Sequence, residues 1–185
     1  MERTLETARL LLRPFRDSDA ADVYDYAKNP AVGPIAGWPA HKSPEESLEI
    51  IRTVFSNPGV FAMERKDTGR VVGSVGFVHN HPAGKHLDCP DDEIGYALAL
   101  DCWGRGLMPE AVEAVLEYGF TRLGMARIWC GHYAINWRSR RVIEKCGFAY
   151  QFARPTEVEL MGEIRQTYFY VQTKEDWRGR VSGAL

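Results

Sequence analysis

No stretch of this 185-residue chain approaches the roughly 18 consecutive apolar residues that a membrane-spanning helix needs, so a soluble, cytoplasmic protein is expected. The opening Met1-Glu-Arg-Thr-Leu-Glu-Thr lacks the basic and then apolar order of a secretory signal, which predicts a reducing compartment. Cysteine is scarce. The four present, Cys89, Cys102, Cys130 and Cys146, form no CxxC pair and fall in different expected elements, which argues against a zinc knuckle and predicts free thiols. His79-x-His81 with His86 and Cys89 is the best case for a metal, because alternate residues at a strand end share a face. The surrounding 80–92 segment is polar and irregular, however, so solvated loop histidines are expected there and no metal. Charge of one sign is missing too: the formal net charge is −2, and no basic stripe interleaved with aromatics removes the chain from the nucleic-acid binders. With 45% hydrophobic and 26% charged residues and no repeat, the composition is that of one globular domain, residues 1–177, followed by a frayed tail over 178–185.

Hydrophobic period and turn residues divide the chain. Residues 7–15 read as a first strand that Pro14 ends, and a helix capped by Asp17 or Ser18 runs to Asn29-Pro30. Gly33, Pro34, Gly37 and Pro39 mark residues 32–42 as a loop. Ser43-Pro44-Glu45-Glu46 is a capping box that starts a second helix, expected to reach about Phe55. Residues 60–65 and 71–78 form a β-hairpin around Lys66-Asp-Thr-Gly-Arg70. A buried strand is expected over 93–100, a helix over 109–123 closed by Gly124, a strand over 127–133, and a short helix over 137–145 ending at Gly147. Residues 148–157 and 166–172 supply closing strands. The order describes a single-domain α/β fold built on a mixed sheet with crossover helices.

The chemical focus is the strand-turn-helix around Trp103-Gly104-Arg105-Gly106. Gly104 and Gly106 permit positive φ and close backbone approach, so successive N–H groups can converge on an anion. The following helix N-terminus adds roughly half a positive charge aimed the same way, and Arg105 can add a full one, a combination suited to a pyrophosphate. A tight loop needing glycine for steric reasons alone would show the same pattern. The third glycine of a dinucleotide fingerprint and the Lys-Ser/Thr of a P-loop are both lacking.

Here the chain resembles the GNAT superfamily of N-acetyltransferases, whose coenzyme A motif, Q/R-x-x-G-x-G/A, lies between a central strand and a helix. The matching stretch is Trp103-Gly104-Arg105-Gly106-Leu107-Met108, with Trp103 in place of Gln or Arg and Met108 in place of Gly or Ala. Glu93-Ile-Gly-Tyr-Ala-Leu, Trp103-Gly-Arg-Gly-Leu-Met-Pro-Glu-Ala and Asn136-x-x-Ser139 leading to Glu144-Lys-Cys-Gly-Phe148 are similar to the RimJ/RimL-like branch of ribosomal-protein N-terminal acetyltransferases. The opening Thr7-Ala-Arg-Leu-x-Leu-Arg-Pro-Phe and the closing residues 168–177 extend the likeness over about residues 7–177. It implies a mostly antiparallel mixed sheet with a splayed central strand, and an acyltransferase that takes acetyl-CoA as co-substrate, without a metal.

The resemblance also implies roles. Pantetheine would pair like an extra strand with the edge splayed after Tyr96, so that Leu98 and Leu100 give main-chain contacts and a backbone N–H near Leu98 stabilises the oxyanion. Gly104, Arg105, Gly106, Leu107 and Met108 would hold the pyrophosphate. Asn136 would hold the pantetheine arm and Ser139, one turn on, would meet the thiol; a plain Asn cap with an exposed Ser is the alternative. From the residues themselves, Glu93 is the favoured general base, because it starts the central strand and points into the cleft if Ile94 points to the core; Asp91, Asp92 and a plain solvated strand-end carboxylate are the alternatives. Many superfamily members carry a tyrosine general acid where this chain has Ile143, so that role falls to another group or to water. Arg138, Arg140 and Arg141 are candidates for the coenzyme's 3′-phosphate, against the reading of a solvated helix face. The 30–55 segment, the 80–92 loop and residues near Tyr168, with Trp38 and His41 as walls, are expected to shape the acceptor cleft.

Acyl transfer needs an uncharged amine. Neutralising an α-amine of pKa near 8 at pH 7 costs about 1.4 kcal/mol, and a lysine near 10.4 about 4.6 kcal/mol, which favours a protein N-terminus or an activated small amine. A polyamine- or aminoglycoside-type enzyme is one alternative, kept open by Asp88, Asp91, Asp92 and Glu93; a non-catalytic acyl-CoA sensor, suggested by Ile143, is another. Neither nucleic acid nor membrane is an expected partner, and a monomer or a homodimer fits.

Overall fold

The computed structural model describes residues 4–84 and 90–183. One eight-stranded sheet has the order β1-β2-β3-β4-β5-β6-β8-β7, in which β1 is Leu5–Glu6, β2 Leu10–Arg13, β3 Val60–Arg65, β4 Val71–Phe77, β5 Asp91–Leu98, β6 Arg127–Tyr133, β7 Ala149–Val158 and β8 Glu163–Thr173. All neighbours are antiparallel except β5 and β6, which run parallel. A parallel pair needs a crossover, and helix α4, Leu107–Thr121, provides it. The other helices are α1 Ala20–Ala27, α2 Gly33–Ala36, α3 Pro44–Thr53, α5 Trp137–Lys145 and α6 Lys174–Ser182.

β4 is buried along its whole length, and its Phe77 lies under α4. Ala111, Val115 and Tyr118 recur at helical spacing along α4 and all face the core, Tyr118 meeting Phe61 edge-on at 5.8 Å. Ser43 caps α3, its Oγ accepting the Glu46 N–H, while the Glu46 carboxylate reaches back to the Lys42 N–H, one residue before the cap.

Four local readings are corrected. The 32–42 segment contains a helix, α2: proline is tolerated in a first helical turn, and Gly37 at φ 102° ends it. The first strand divides into β1 and β2, joined by a turn in which the Thr7 N–H and hydroxyl both donate to the Leu10 carbonyl. β5 ends at Leu98, so Leu100 opens a 3-10 turn and is exposed. Finally, α6 continues through 182, capped by Thr173, with Trp177 5.5 Å from Phe120 and Arg180 paired to Glu113 of α4 at 2.7 Å. The last of these contacts lies beyond 177, where a frayed tail was expected. No helix among the described residues is long and apolar enough to cross a membrane.

Candidate active site

The parallel pair is short. β5 and β6 are in register only over Asp91–Ile94 and Arg127–Cys130, although both strands continue, to Leu98 and Tyr133. They therefore part at Gly95, slightly earlier than expected. Glu93 gives its carbonyl to Val78 and Ala99 its N–H to Val72, so these alternate residues serve the β4 side. The peptide groups of Tyr96 and Leu98 consequently turn toward the gap, where no strand lies opposite.

A cavity of about 350 Å³ opens from this gap to the turn before α4. Gly104, Gly106, Leu107 and Met108 form one wall, Tyr96 and Leu98 the floor, and Asn136, Ser139, Arg138 and Arg141 of the α5 region the facing wall. Gly104 and Gly106 adopt φ of 73° and 76°, and a Cβ on Gly104 would meet nothing within 4 Å. The two glycines thus serve backbone conformation; the space over Gly104 is open, and a Cβ on Gly106 would lie 3.5 Å from Arg9 Nη2. Gly106 is the N-cap of α4 and supplies no side-chain acceptor, which leaves the first amides of that helix free for an anion.

Two of the expected contact residues lie elsewhere. Leu100 lines a separate cavity, with Asp22 and Arg70, and is removed from this one by the end of β5. Arg105 is exposed and does not line the cavity; its carbonyl accepts from Arg9, which is also paired with Glu110 at 2.7 Å. Trp38 and His41 do not line it either, His41 lying 2.8 Å from Ser47. Instead Val32, Ile35 and Ala36, in and beside α2, close the inner end.

Asn136 caps α5, its Oδ1 accepting the Ser139 N–H at 3.1 Å. Ser139 is buried rather than exposed, and its Oγ lies 2.9 Å from the hydroxyl of Tyr96, which also meets the Ser139 carbonyl at 3.2 Å. Tyr96 escaped the sequence reading. Its only signal there was alternation, which sets it on the same face of β5 as the core residue Ile94. Burial raises its pKa well above the ordinary tyrosine value, with Cys130 reinforcing the shift, so the phenol is protonated at neutral pH. Ile143 is fully buried in the core and does not line the cavity.

The three carboxylates at the start of β5 have different surroundings. Asp91 is buried and accepts from Arg127 at 2.9 Å and from Trp129 Nε1 at 3.1 Å, with His81 Nδ1 2.8 Å away. Burial alone would raise its pKa, but these hydrogen bonds from Trp129 and His81 and the charge of Arg127 lower it. Asp92 meets His79 and accepts from the backbone of Asn80 and Glu93. Glu93 takes the opposite face of β5 from Tyr96; its Oε1 would lie 2.8 Å from a Cβ on Gly131, and Asn80 donates to its Oε2. Burial raises the Glu93 pKa, and the nearby Asp92 charge adds to this, against opposing contributions from Asn80, Gly131 and Arg154. It lies outside the 350 Å³ cavity, beside the point where the strands part.

His79 and His81 thus spend their Nδ1 atoms on Asp92 and Asp91, and among the described residues no three His, Cys, Asp or Glu side chains are grouped to hold a metal. His86 and Cys89 lie outside the described residues. Cys102, Cys130 and Cys146 are free and buried.

An uncapped helix start facing a gap between two parallel strands suits a ligand with an anionic group and an extended amide-bearing arm. The acetyltransferase (GNAT) domain model matches residues 9–149, and the chain belongs to that family. It is 33% identical to the uncharacterized N-acetyltransferase YoaA of Bacillus subtilis over 149 residues, 78% of this chain and 81% of the relative. The fold is shared with a GNAT-family acetyltransferase from Bacillus anthracis, at TM-score 0.80 and 23% identity over 94% of this chain and 99% of that one. It is shared as well with Mycobacterium smegmatis RimJ in complex with CoA-disulfide, at TM-score 0.76 and 21% identity over 98% and 94%. The protein is an N-acetyltransferase, and enzymes of this family use acetyl-CoA.

Proposed function

We propose that this enzyme, of the RimJ/RimL-like branch, acetylates a primary amine and that its acceptor is a protein N-terminal α-amine. The observation that carries the reading is the continuity of one cavity from the uncapped start of α4 to the gap beside Tyr96 and Leu98. Open space over Gly104 and free helix amides fit a pyrophosphate, and unpaired strand edges fit the amide-bearing arm that follows it.

Acetyl-CoA supplies the thioester that the amine attacks, forming the amide C–N bond and breaking the C–S bond, so that the coenzyme leaves as a thiolate that takes its proton from water. Leu98 offers its N–H to the thioester carbonyl, where negative charge develops. Glu93, raised by burial, draws the proton that the amine must lose, through water. Ser139 directs its hydroxyl at the sulfur, and Tyr96 holds that hydroxyl in place. Tyr96 is itself too weak an acid to give up its proton, so it positions Ser139 and does not ionise.

Two features favour an α-amine over a polycation. Among the described residues no Asp or Glu lines the cavity, and Asp91 and Asp92 are consumed by Arg127, Trp129, His81, His79 and backbone amides. Among the described residues a polyamine would meet Glu93 alone and no field of free carboxylates. The raised Glu93 is acid-base equipment that a non-catalytic sensor has no use for.

Glu93→Gln tests the reading. It should lower kcat by about 10²-fold or more at pH 7 with acetyl-CoA affinity nearly intact, and the defect should shrink as pH nears the acceptor's own pKa. Because the folded-state pKa is raised, wild-type activity should fall with decreasing pH above the usual carboxylate range. By linkage, stability contributed by the protonated carboxyl is present at low pH and lost as pH rises through the folded value, and the Gln variant should lack this slope. Wild-type kcat in the variant at pH 7 removes Glu93 from the mechanism.

A further inference from the structure

The sheet face that carries Glu93 lies outside the coenzyme cavity and continues across β6, β8 and β7 in two adjacent rows, Gly131–Phe169–Phe152 and Tyr133–Thr167–Arg154. Glu93 leans over Gly131 into space that a side chain would fill, since a Cβ there would lie 2.8 Å from its Oε1 and 3.3 Å from the Phe169 ring. Arg154 lies over the same ring, its guanidinium 5.3 Å from the Phe169 centroid and 5.7 Å from that of Phe152. A carboxylate and a guanidinium thus flank one phenylalanine. Asn80 holds Glu93 from one side, and at the other end of the face Tyr133 packs against α2, where a Cβ on Gly37 would lie 2.8 Å from its hydroxyl.

Three arginines stand on this face of β6, β7 and β8, and two of them are spent. Arg127 pairs with Asp91 at 2.9 Å, and Arg165 donates to Glu163 at 2.7 Å and to the Pro34 carbonyl at 2.8 Å. Among the described residues Arg154 has no carboxylate partner; only the two rings hold it. Aromatic faces engage a guanidinium by its flat surface and leave the N–H edge free for an anion. Its charge is also felt at the base: burial raises the Glu93 pKa, and Arg154 is one of the smaller influences that pull it back.

We propose that Arg154 reads a carboxylate on the acceptor, so that the enzyme prefers a protein N-terminus with an acidic side chain at its first or second residue. The inference deepens the acceptor reading above and rests on it: the amine goes to Glu93 and the acid to Arg154, groups that share one ring and lie within the span of one or two residues of chain, roughly 3.3–3.6 Å each. An acceptor with a second cation in place of the acid would meet Arg154 as a like charge.

The test is kcat/KM of the full chain with acetyl-CoA and C-terminally amidated peptides that differ only in carrying aspartate or asparagine at the first or second residue. The wild type should favour one of the aspartate peptides by at least about 10-fold, through KM, and the preference should shrink as salt rises. Arg154→Gln should abolish the preference, Arg154→Lys should retain part of it, and Arg154→Glu should turn it toward a peptide with arginine at that residue. Arg154 is exposed on an edge strand, so the variants should melt with the wild type. Equal kcat/KM for the aspartate and asparagine peptides in the wild type, or a preference that survives Arg154→Gln, overturns the assignment and leaves the acetyltransferase reading standing. Failure of the wild type to acetylate any of the peptides overturns the protein-acceptor reading on which the assignment rests.

Discussion

Helices α4 and α5 both begin at the same cavity, yet they begin in opposite ways. α5 is closed by its own sequence: Asn136 accepts the Ser139 N–H, and the first turn presents a hydroxyl held by Tyr96. α4 is left open, because Gly106 in the left-handed region provides no acceptor. α3 and α6, which face no such cavity, are capped by Ser43 and Thr173. α1 and α2 also lack a side-chain cap, so what distinguishes α4 is the cavity at its start, which gives a ligand room to supply the acceptor. On the proposed reading, one helix start serves binding of charge, and the other serves chemistry.

This contrast can be broken at either start. The largest effect is expected from Gly106→Val, which places a β-branched residue at φ 76° and fills the approach to the α4 amides. Coenzyme A affinity should fall by about 100-fold or more, read by calorimetry, and stability by about 1–2 kcal/mol, so that the fold survives. Unchanged affinity would remove the anion from that turn. Tyr96→Phe attacks the α5 start: kcat should drop by roughly 10-fold with affinity retained, the loss of one organising hydrogen bond. The drop should be smaller with acetyl thioesters of more acidic thiols, because a better leaving group has less need of the Ser139 hydroxyl; a merely structural tyrosine would show no such dependence. The smallest change is at the control: Ser43→Ala removes a cap that faces no ligand and should cost about 1 kcal/mol in denaturant unfolding, with affinity and kcat unaltered.

Much of this contrast was legible in the chain. β6 and α5 fall where Gly124, Asn136 and Gly147 punctuate the sequence, and the hairpin of β3 and β4 follows its turn residues. The glycine turn was visible because backbone demands fall on residue type. What could not be read were pairings between distant segments. Tyr96 and Ser139 are separated by 43 positions, and nothing local to either announces the other. Asp91, Asp92 and Glu93 look equivalent in a row; their partners, Arg127 and Trp129 on β6 and His79 and Asn80 before β5, distinguish them. Arg138, Arg140 and Arg141 pose the same difficulty, solved by which side of one helical turn each occupies. α2 was hidden by glycine and proline, whose usual meaning as breakers is reversed when they stand at a helix's own two ends.

The parting of β5 from β6 after Ile94 also bears on how the enzyme survives heat. A strand edge opened inside a sheet, instead of at its rim, leaves Tyr96 and the N–H of Leu98 without a strand partner in the folded state, while the Leu98 carbonyl is taken by Trp103. A ligand that enters the gap completes the sheet, and does so only when the chain is folded. Occupancy and folding are then thermodynamically linked: coenzyme at about 100 times its dissociation constant adds about 2.7 kcal/mol to the unfolding free energy. The melting temperature of this protein should therefore track the supply of its own co-substrate.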